Sequence, residues 1–210
     1  MVKKHFKLLI ITSLVILLPI LAGVLLWDQL PEQMPIHWNA AGEVDGWSSK
    51  LFAVVYMPMI LVALQWVCVL ATASDPRKKN HGEKILHLVF WLIPVLSVVL
   101  FSVTYLSAMS VAVKMDRIMP VLMGLMFTMI GNYLPKCKQN YTIGIKIPWT
   151  LNNEENWNKT HRLAGWVWVV CGVAMMCTGF VGGFMVFFPI TLLMIVIPMV
   201  YSYILHRKGL

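Results

Sequence analysis

Six long runs of apolar residues dominate the pattern of hydrophobic and polar positions along this chain. They lie at 8–27, 51–73, 85–106, 118–134, 163–179 and 184–205. Each is close to the ~20 residues that an α-helix needs to cross about 30 Å of hydrocarbon, where only a backbone with internal hydrogen bonds is stable. The pattern predicts an all-α fold, a polytopic membrane bundle of six transmembrane helices.

Composition supports this prediction. Of the 210 residues, 59% are hydrophobic and 12% are charged, and the mean hydropathy is +0.75. Soluble domains have a charged fraction of about 25%. The first apolar run follows Lys3, Lys4 and Lys7, as in a signal peptide, but it is long and no A-x-A cleavage motif follows it. We therefore interpret it as a retained span.

Lysine and arginine are distributed unevenly about the predicted spans. Of the 17 basic residues, 14 lie on the same side as the two ends of the chain, and only Lys50, Lys114 and Arg117 lie on the other. Because basic residues are enriched in cytosolic loops, both termini are predicted to be cytosolic and segment 28–50 extracellular. The charge of +8 lies in patches beside the spans, which argues against direct binding of nucleic acid.

The order of spans and loops suggests two halves. Residues 1–117 form an N-terminal three-span half with the extracellular loop 28–50, and residues 118–210 form a C-terminal three-span half with the cytosolic loop 135–162. Both long loops begin with Leu-Pro and carry a later Pro and Trp. This pattern is typical of a weak 3+3 inverted repeat, although any six-span chain with two long loops would look similar.

The longest polar interruption, residues 131–166, carries the most specific pattern in the chain. A span that ends in G-N-x-x-P is followed by N-x-x-I-G-I-x-x-P-W-T-L, an acidic pair, and W-x-x-T-H-R-x-A-G. These motifs resemble the signature of the SdpI family of bacterial immunity proteins. The residues that carry the resemblance and serve as candidate site residues are Asn132, Pro135, Asn140, Gly144, Pro148, Trp149, Thr150, Glu155, Trp157, His161 and Arg162.

Local structure can also be predicted within this signature. Asn152 and Glu155 have the spacing of a capping box, which predicts a helix from about Asn153 that places Trp157 and His161 on one face. Residues 141–148 are rich in β-branched side chains and are predicted to be extended, with Trp149 as an interfacial anchor.

Segment 28–50 resembles a small domain of unassigned function that often precedes the SdpI region, with the pattern L-P-x-x-x-P-x-H-W-x-x-x-G-x-x-D-x-W-x-S-K. Its prolines and glycines favour turns, and its tryptophans suit the membrane interface. One interpretation is recognition of an amphipathic peptide, and the other is a structural surface turn. The candidate recognition residues are His37, Trp38, Glu43, Asp45 and Trp47.

Little in the sequence indicates other chemistry. The predicted spans contain no Asp, Glu, Lys or Arg, which disfavours a coupled transporter, and Gln65, His87 and Asn132 are interpreted as making hydrogen bonds between helices. The four cysteines are expected to be free thiols, and no metal site or cofactor is expected. His37 with Ser48 or Ser49 is the one extracellular hydrolytic candidate, but no catalytic motif frames it, so an enzyme is not expected.

The resemblance implies a multi-pass protein of the bacterial plasma membrane that protects the cell from a secreted peptide toxin. In the family it also implies an optional second role, in which the toxin-bound protein sequesters a cytosolic helix-turn-helix repressor at the membrane. The implied partners are thus the toxin, membrane lipids and, for the sensing role, the repressor. A transporter of small molecules or lipids, or a lipid-facing scaffold, remains the alternative.

Overall fold

Six helices of the described chain are long and apolar enough to cross a membrane. The computed structural model describes residues 2–181 and 186–210. Within these ranges the six lie at Lys4–Leu25, Phe52–Ala73, Glu83–Ala108, Met115–Lys136, Glu154–Phe180 and Phe187–Arg207. This confirms the predicted all-α membrane bundle. The predicted start of the last span, Phe184, lies outside the described residues.

The helices are joined by a hairpin and several short helical segments. The helices are α1 (Val2–Leu25), α2 (Met57–Ala73), α3 (Glu83–Ala108), α4 (Met115–Tyr133), α5 (Pro148–Asn152), α6 (Glu154–Val181) and α7 (Phe187–Arg207). The strands β1 (Gln33–Trp38) and β2 (Val44–Ser49) form an antiparallel hairpin between α1 and α2. A π-helical turn, Phe52–Tyr56, leads from β2 into α2. The hairpin and α5 are two elements that the apolar pattern did not predict.

The chain divides into two compact units. The first contains the residues up to Ala73 together with His87–Met115, and the second contains Ser74–Leu86 together with Asp116–Leu210. The loop after α2 therefore belongs to the second unit, although it lies within the N-terminal half of the sequence.

The first unit combines an apolar core with hydrogen bonds between its helices. Its largest buried cluster consists of Leu30, Met34, Ala53, Val54, Phe101 and Tyr105. Gln65 is fully buried, and its Nε2 donates to Thr12 Oγ1 at 2.6 Å and to the Phe90 carbonyl at 3.3 Å. The helix-to-helix role predicted for Gln65 is thus confirmed. His87 is instead exposed, and its ring lies edge-on to His5.

In the second unit, glycines at intervals of seven residues let α4 and α6 approach closely. A Cβ atom on Gly124 would collide with the carbonyl oxygen of Gly172, and one on Gly165 would lie 2.9 Å from the carbonyl oxygen of Gly131. Small residues at such positions allow close backbone approach in membrane helices. Two glycines of the signature, Gly131 and Gly165, therefore have a packing role.

Candidate functional site

The hairpin of segment 28–50 is built around a tight turn. Asn39 Oδ1 accepts hydrogen bonds from the amides of Ala41 at 2.9 Å and Glu43 at 3.1 Å, and Gly42 has a φ of 80°. Asparagine favours turns because its side chain can bond to its own backbone in this way, and glycine adopts positive φ without strain. The sequence signal for a turn was correct, but the flanking strands were not predicted.

Four of the candidate recognition residues, His37, Trp38, Asp45 and Trp47, lie on the two strands, and Glu43 lies in the turn between them. His37 Nδ1 is 2.5 Å from Asp45 Oδ1 across the hairpin, and both side chains are exposed. Trp47 is 55% exposed, whereas Trp38 is half-buried. Glu43 Oε2 accepts a hydrogen bond from Asn39 Nδ2 at 3.2 Å. All five candidates therefore share one small element.

The hydrolytic candidate is not assembled by this hairpin. The register pairs Ser48 with Met34 and Ser49 with Gln33, while His37 pairs with Gly46 nearer the turn. His37 is engaged with Asp45, which lies on the neighbouring strand.

At the base of the hairpin, a buried lysine connects β2 to the segment after α1. The Lys50 side chain is 7% exposed, and its Nζ lies 2.9 Å from Glu32 Oε1. It also donates to the carbonyl oxygen of Trp27 at 3.1 Å and lies over the Trp27 ring. A buried cation is stable only with such partners, so Lys50 fixes the base of the hairpin.

The signature segment is organised differently, by side chains that point inward. Asn140 is fully buried, and its Oδ1 accepts from the amides of Thr142 at 2.9 Å and Ile143 at 2.6 Å. Its Nδ2 donates to the carbonyl oxygens of Lys138 at 2.8 Å and Ile143 at 2.9 Å. One amide side chain thus holds residues 138–143 in a turn. The extended conformation predicted for the start of 141–148 is therefore wrong.

His161 and Trp157 support the next part of the loop. His161 Nδ1 lies 2.9 Å from the Trp157 carbonyl oxygen, and its Nε2 accepts from the amide of Ile145 at 2.9 Å. These two bonds require a neutral imidazole with its proton on Nδ1. The two rings stack at 4.0 Å, and Trp157 Nε1 donates to the Cys137 carbonyl oxygen at 2.6 Å.

Gly144 is required where the loop passes over this stack. Its φ is 113°, and a Cβ atom there would lie 2.5 Å from His161 Nε2. Any other residue would be strained by its backbone conformation and would also displace the histidine. The motif residues Gly144, Trp157 and His161 therefore form one packed group.

The Pro-Trp-Thr-Leu motif forms the short helix α5. Pro148 occupies its first position, where a missing amide proton costs nothing. Thr150 is fully buried, and its Oγ1 donates to the Ile145 carbonyl oxygen at 2.7 Å and accepts from the Ile147 amide at 3.2 Å. The Trp149 ring packs against Tyr203 and His206 of α7, with ring centres 5.1 Å and 5.9 Å away. The motif thus joins the signature to the last helix.

The start of α6 differs in detail from the prediction. The cap is Asn153 rather than Asn152, since Asn153 Oδ1 accepts from the Asn156 amide at 2.9 Å and α6 begins at Glu154. The Asn152 side chain is exposed at the end of α5. Glu155 Oε1 pairs with Lys159 Nζ at 2.8 Å. The predicted face of the helix is also correct, because Trp157 and His161 are both buried.

Asn132, Pro135 and Arg162 of the signature lie outside this packed group. All three are exposed, and the side chains of Asn132 and Arg162 make no hydrogen bond or ion pair within residues 2–181 and 186–210. The hydrogen bond between helices that was predicted for Asn132 is therefore wrong. Pro135 packs against Gly165, whose added Cβ would lie 2.5 Å from the proline Cγ.

Sequence reasoning missed the partner of the signature loop, which is the loop between α2 and α3. Asp75 is buried, and its carboxylate accepts from the amides of Arg77 at 2.7 Å and Tyr141 at 2.9 Å and from Thr142 Oγ1 at 2.9 Å. Burial alone would raise the pKa of Asp75, but these hydrogen bonds and the nearby His81 ring outweigh it and lower the pKa. The short loop is thus fastened to the signature by an ionised carboxylate.

His81 lies on the other side of the same carboxylate. Its Nε2 is 3.3 Å from Asp75 Oδ2, and its side chain is 1% exposed. Burial lowers the pKa of His81, although the Asp75 charge opposes this shift. Its Nδ1 is buried without a hydrogen-bond partner in the described part of the chain. Asn80 adds a second link, since its Nδ2 donates to the Gln139 carbonyl oxygen at 2.7 Å.

Asn156 was also missed, although it lies within the signature. It is fully buried on α6 and exchanges hydrogen bonds with Ser202 of α7: Ser202 Oγ donates to Asn156 Oδ1 at 2.6 Å, and Asn156 Nδ2 donates to the Ser202 carbonyl oxygen at 3.0 Å. Its position directly before Trp157, at the start of a predicted helix, was the signal in the sequence from which a buried role could have been predicted.

The four cysteines are free thiols, as predicted. Cys137 is buried next to Trp157, and burial raises the pKa of its thiol to about 11. A thiol with so high a pKa is protonated at neutral pH and is a poor nucleophile. Cys137 therefore acts as part of the packed group.

Comparison with known proteins identifies both regions. Residues 136–202 match the SdpI/YfhL protein family, and residues 14–62 match the Domain of unknown function (DUF1648). The chain is 27% identical over 202 residues to Immunity protein SdpI of Bacillus subtilis (strain 168), a match that covers 95% of this chain and 96% of that protein. No solved structure matches the chain.

The first of these matches contains most of the packed signature group, and the second contains the whole hairpin. Six spans and a membrane relative together indicate a multi-pass protein of the plasma membrane. These matches confirm the resemblance inferred from the motifs: the chain is similar to the SdpI family over residues 136–202 and to one of its named members over nearly its whole length.

Proposed function

We propose that this protein is a membrane immunity protein that protects the cell carrying it against a secreted antimicrobial peptide. The observation that carries the proposal is the match over 95% of the chain to a relative named as an immunity protein. The match extends over nearly the whole length of both proteins, so it includes the hairpin and the signature.

The proposed orientation places the two regions on opposite sides of the membrane. With 14 of the 17 basic residues on the side of the chain ends, the hairpin is extracellular and the signature loop is cytosolic. A secreted peptide then reaches the hairpin first and has no direct access to the signature.

The hairpin has the chemistry for binding a cationic amphipathic peptide. Segment 28–50 contains the acidic residues Asp28, Glu32, Glu43 and Asp45 and a single basic residue, Lys50, which is paired with Glu32. Trp47 offers an exposed aromatic surface beside them. Exposed carboxylates attract cationic groups, and tryptophan contributes apolar contact to many interfaces.

For the signature, we propose a role in closing the cytosolic side of the second unit. Its buried side chains satisfy backbone groups of the same segment by hydrogen bonds, which suits a resting structure better than an open binding surface. In the sensing extension of this proposal, toxin binding shifts the protein to a state that exposes part of this segment to a cytosolic helix-turn-helix repressor. Such a shift requires that the toxin bind the two states with different affinities.

Survival of a sensitive bacterial host tests the proposal. A secreted peptide fraction is first selected because it kills the host without the gene and spares the host with it. Asp45→Ala should then lower the highest peptide concentration that the host survives by about tenfold. This factor corresponds to about 1.4 kcal/mol of binding free energy. The matched control is Glu154→Ala, which removes an exposed carboxylate on α6.

Two results would count against the proposal. If no fraction distinguishes the two hosts, the protein does not confer immunity. If Asp45→Ala protects as well as the parent at equal membrane level, the hairpin is not the recognition surface.

Cysteine labelling in whole cells tests the orientation. In a background with the four native cysteines replaced, a membrane-impermeant maleimide should label a cysteine at Ala41, in the hairpin turn. It should not label one at Asn158, which is exposed on the first turns of α6. The opposite pattern would reverse the topology and remove the argument for recognition by the hairpin.

A further inference from the structure

The first unit contains an apolar cavity of about 330 Å³ next to the hairpin. The hairpin contributes Ile36 and Trp38 to its wall. The other lining residues come from the π-helical turn, α2, α3 and the residue that follows the α3–α4 connection: Phe52, Met57, Ile60, Leu61, Leu100, Phe101, Thr104 and Met115. Ligand pockets begin at about this size. The cavity is therefore large enough for a bulky apolar group.

Two of the residues that line the cavity, Thr104 and Trp38, carry a polar group. The Thr104 hydroxyl and the Trp38 indole N–H have no hydrogen-bond partner among the residues that the structure describes. An apolar pocket with one or two convergent polar groups is the usual form of a ligand site, because the polar groups orient what the apolar walls bind. The wall thus offers both burial and orientation.

The backbone beside the cavity is also unusual. In Phe52–Tyr56 the helix is wound with one additional residue per turn, and the Met57 amide donates to the Phe52 carbonyl oxygen. Phe52 and Met57, at the two ends of this turn, both line the cavity. Single π-helical turns occur frequently at functional sites because they redirect side chains out of the regular α-helical pattern.

The charge of the hairpin segment distinguishes between two molecules that could fill this cavity, a phospholipid and an amphipathic peptide. Segment 28–50 carries a formal charge of −3, with four acidic residues and one lysine, in a chain whose total is +8. The anionic headgroup of a phospholipid would be repelled by these carboxylates, whereas the cationic residues of an amphipathic peptide would be attracted. The local charge therefore favours a peptide over an anionic lipid.

We propose that this cavity is the binding pocket for an apolar side chain of a cationic amphipathic peptide, whose basic residues contact the carboxylates of the hairpin. This inference rests on the proposed immunity function and adds the place where the peptide is anchored. The half-buried Trp38 then forms one wall of the pocket and contacts the inserted side chain.

A cavity-filling substitution tests this pocket. Ile60→Trp places a large side chain in the wall, whereas Met59→Trp adds the same side chain at the preceding position, which is equally exposed but does not line the cavity. The probe is the secreted peptide fraction selected as described above. Ile60→Trp should reduce protection by at least about tenfold, since a buried anchor commonly contributes this much to binding. Met59→Trp should protect as the parent does.

Leu100→Phe on α3 is a second variant that fills the cavity with a smaller side chain. Thermal unfolding in detergent shows which variants are folded. Native mass spectrometry of the proteins in lipid nanodiscs, after exposure to the fraction, should show a bound peptide for the parent and Met59→Trp and none for the filled variants. Full protection by a folded filled variant would overturn the pocket but leave the immunity proposal intact. A phospholipid displaced by filling, without loss of the peptide, would also overturn it.

Discussion

The hairpin and the signature segment use polar residues in opposite ways. In the hairpin, the side chains of His37 and Asp45 pair across two strands and stay exposed. In the signature, Asn140 and His161 are buried and use their polar atoms to hold backbone groups. A substitution in the first region removes groups that a partner can touch, whereas one in the second leaves buried backbone groups without hydrogen bonds.

This difference bears on how the family motifs are interpreted. The signature carries the most specific pattern in the sequence, yet most of its residues have a structural reason to be there: Gly144 allows the loop to pass over His161, and Thr150 donates to the Ile145 carbonyl oxygen in the segment before α5. The hairpin pattern is shorter, but its polar side chains His37 and Asp45 are exposed. A specific motif therefore does not by itself mark the site of recognition.

The largest effect is expected from Asn140→Ala. The substitution leaves the amides of Thr142 and Ile143 and the carbonyl oxygen of Lys138 without their side-chain partner. Each unsatisfied buried group costs about 1–3 kcal/mol, so the free energy of unfolding should fall by about 3 kcal/mol. Thermal unfolding in detergent measures the change. Asn158→Ala, at an exposed position of the same segment, is the control and should stay within about 0.5 kcal/mol of the parent.

An unchanged melting temperature for Asn140→Ala would contradict the comparison. It would mean that the signature is not held together by its buried side chains, and that the region is open to a partner in the resting state.

A smaller effect is expected from pH, again in the signature region. The pKa of His81 is lowered from its usual 6.5, because burial disfavours the charged ring even beside Asp75. The folded state thus binds the proton less readily than the unfolded state, and stability that is present above pH 6.5 is lost as the pH falls towards the folded pKa. The pKa of Asp75 is lowered from 3.8, so its contribution is lost only in more acidic solution.

Melting temperatures between pH 7.5 and 5 measure this dependence, and the parent should become less stable over that range. His81→Gln should reduce the slope because one of the buried titrating groups is gone, while the buried His161 keeps its own contribution. The control is His87→Gln, at an exposed histidine of the first unit, which should keep the parental slope. Equal slopes for the parent and His81→Gln would contradict the burial of a neutral His81 beside Asp75.

The sequence predicted the spans well because each is a long apolar run bounded by polar residues. The predicted second span, 51–73, ends at the same residue as α2. The hairpin was missed because its strands are six residues long and Pro35 and Gly46 interrupt their alternation. Such short strands have a weak periodic signal.

The links between distant loops could not be predicted in this way. Asp75 follows a span and precedes a proline, a position that indicates only a turn, and its partners Tyr141 and Thr142 lie more than sixty residues later. The basic residues of the same loop predicted on which side of the membrane it lies. They gave no information on the hydrogen bonds that Asp75 makes. Local patterns identify the turn, and only the folded chain identifies what the carboxylate binds.

A pair of tryptophans tests the contrast between the two regions most directly. Trp47 is 55% exposed on the hairpin, and Trp157 is fully buried in the signature. Melting temperature and protection against the selected peptide fraction would be measured for Trp47→Ala and Trp157→Ala at equal membrane level. We expect Trp47→Ala to keep the parental melting temperature and lose protection, and Trp157→Ala to lower the free energy of unfolding by about 3 kcal/mol or more. A stable Trp157→Ala protein, or a Trp47→Ala protein that protects fully, would contradict the account.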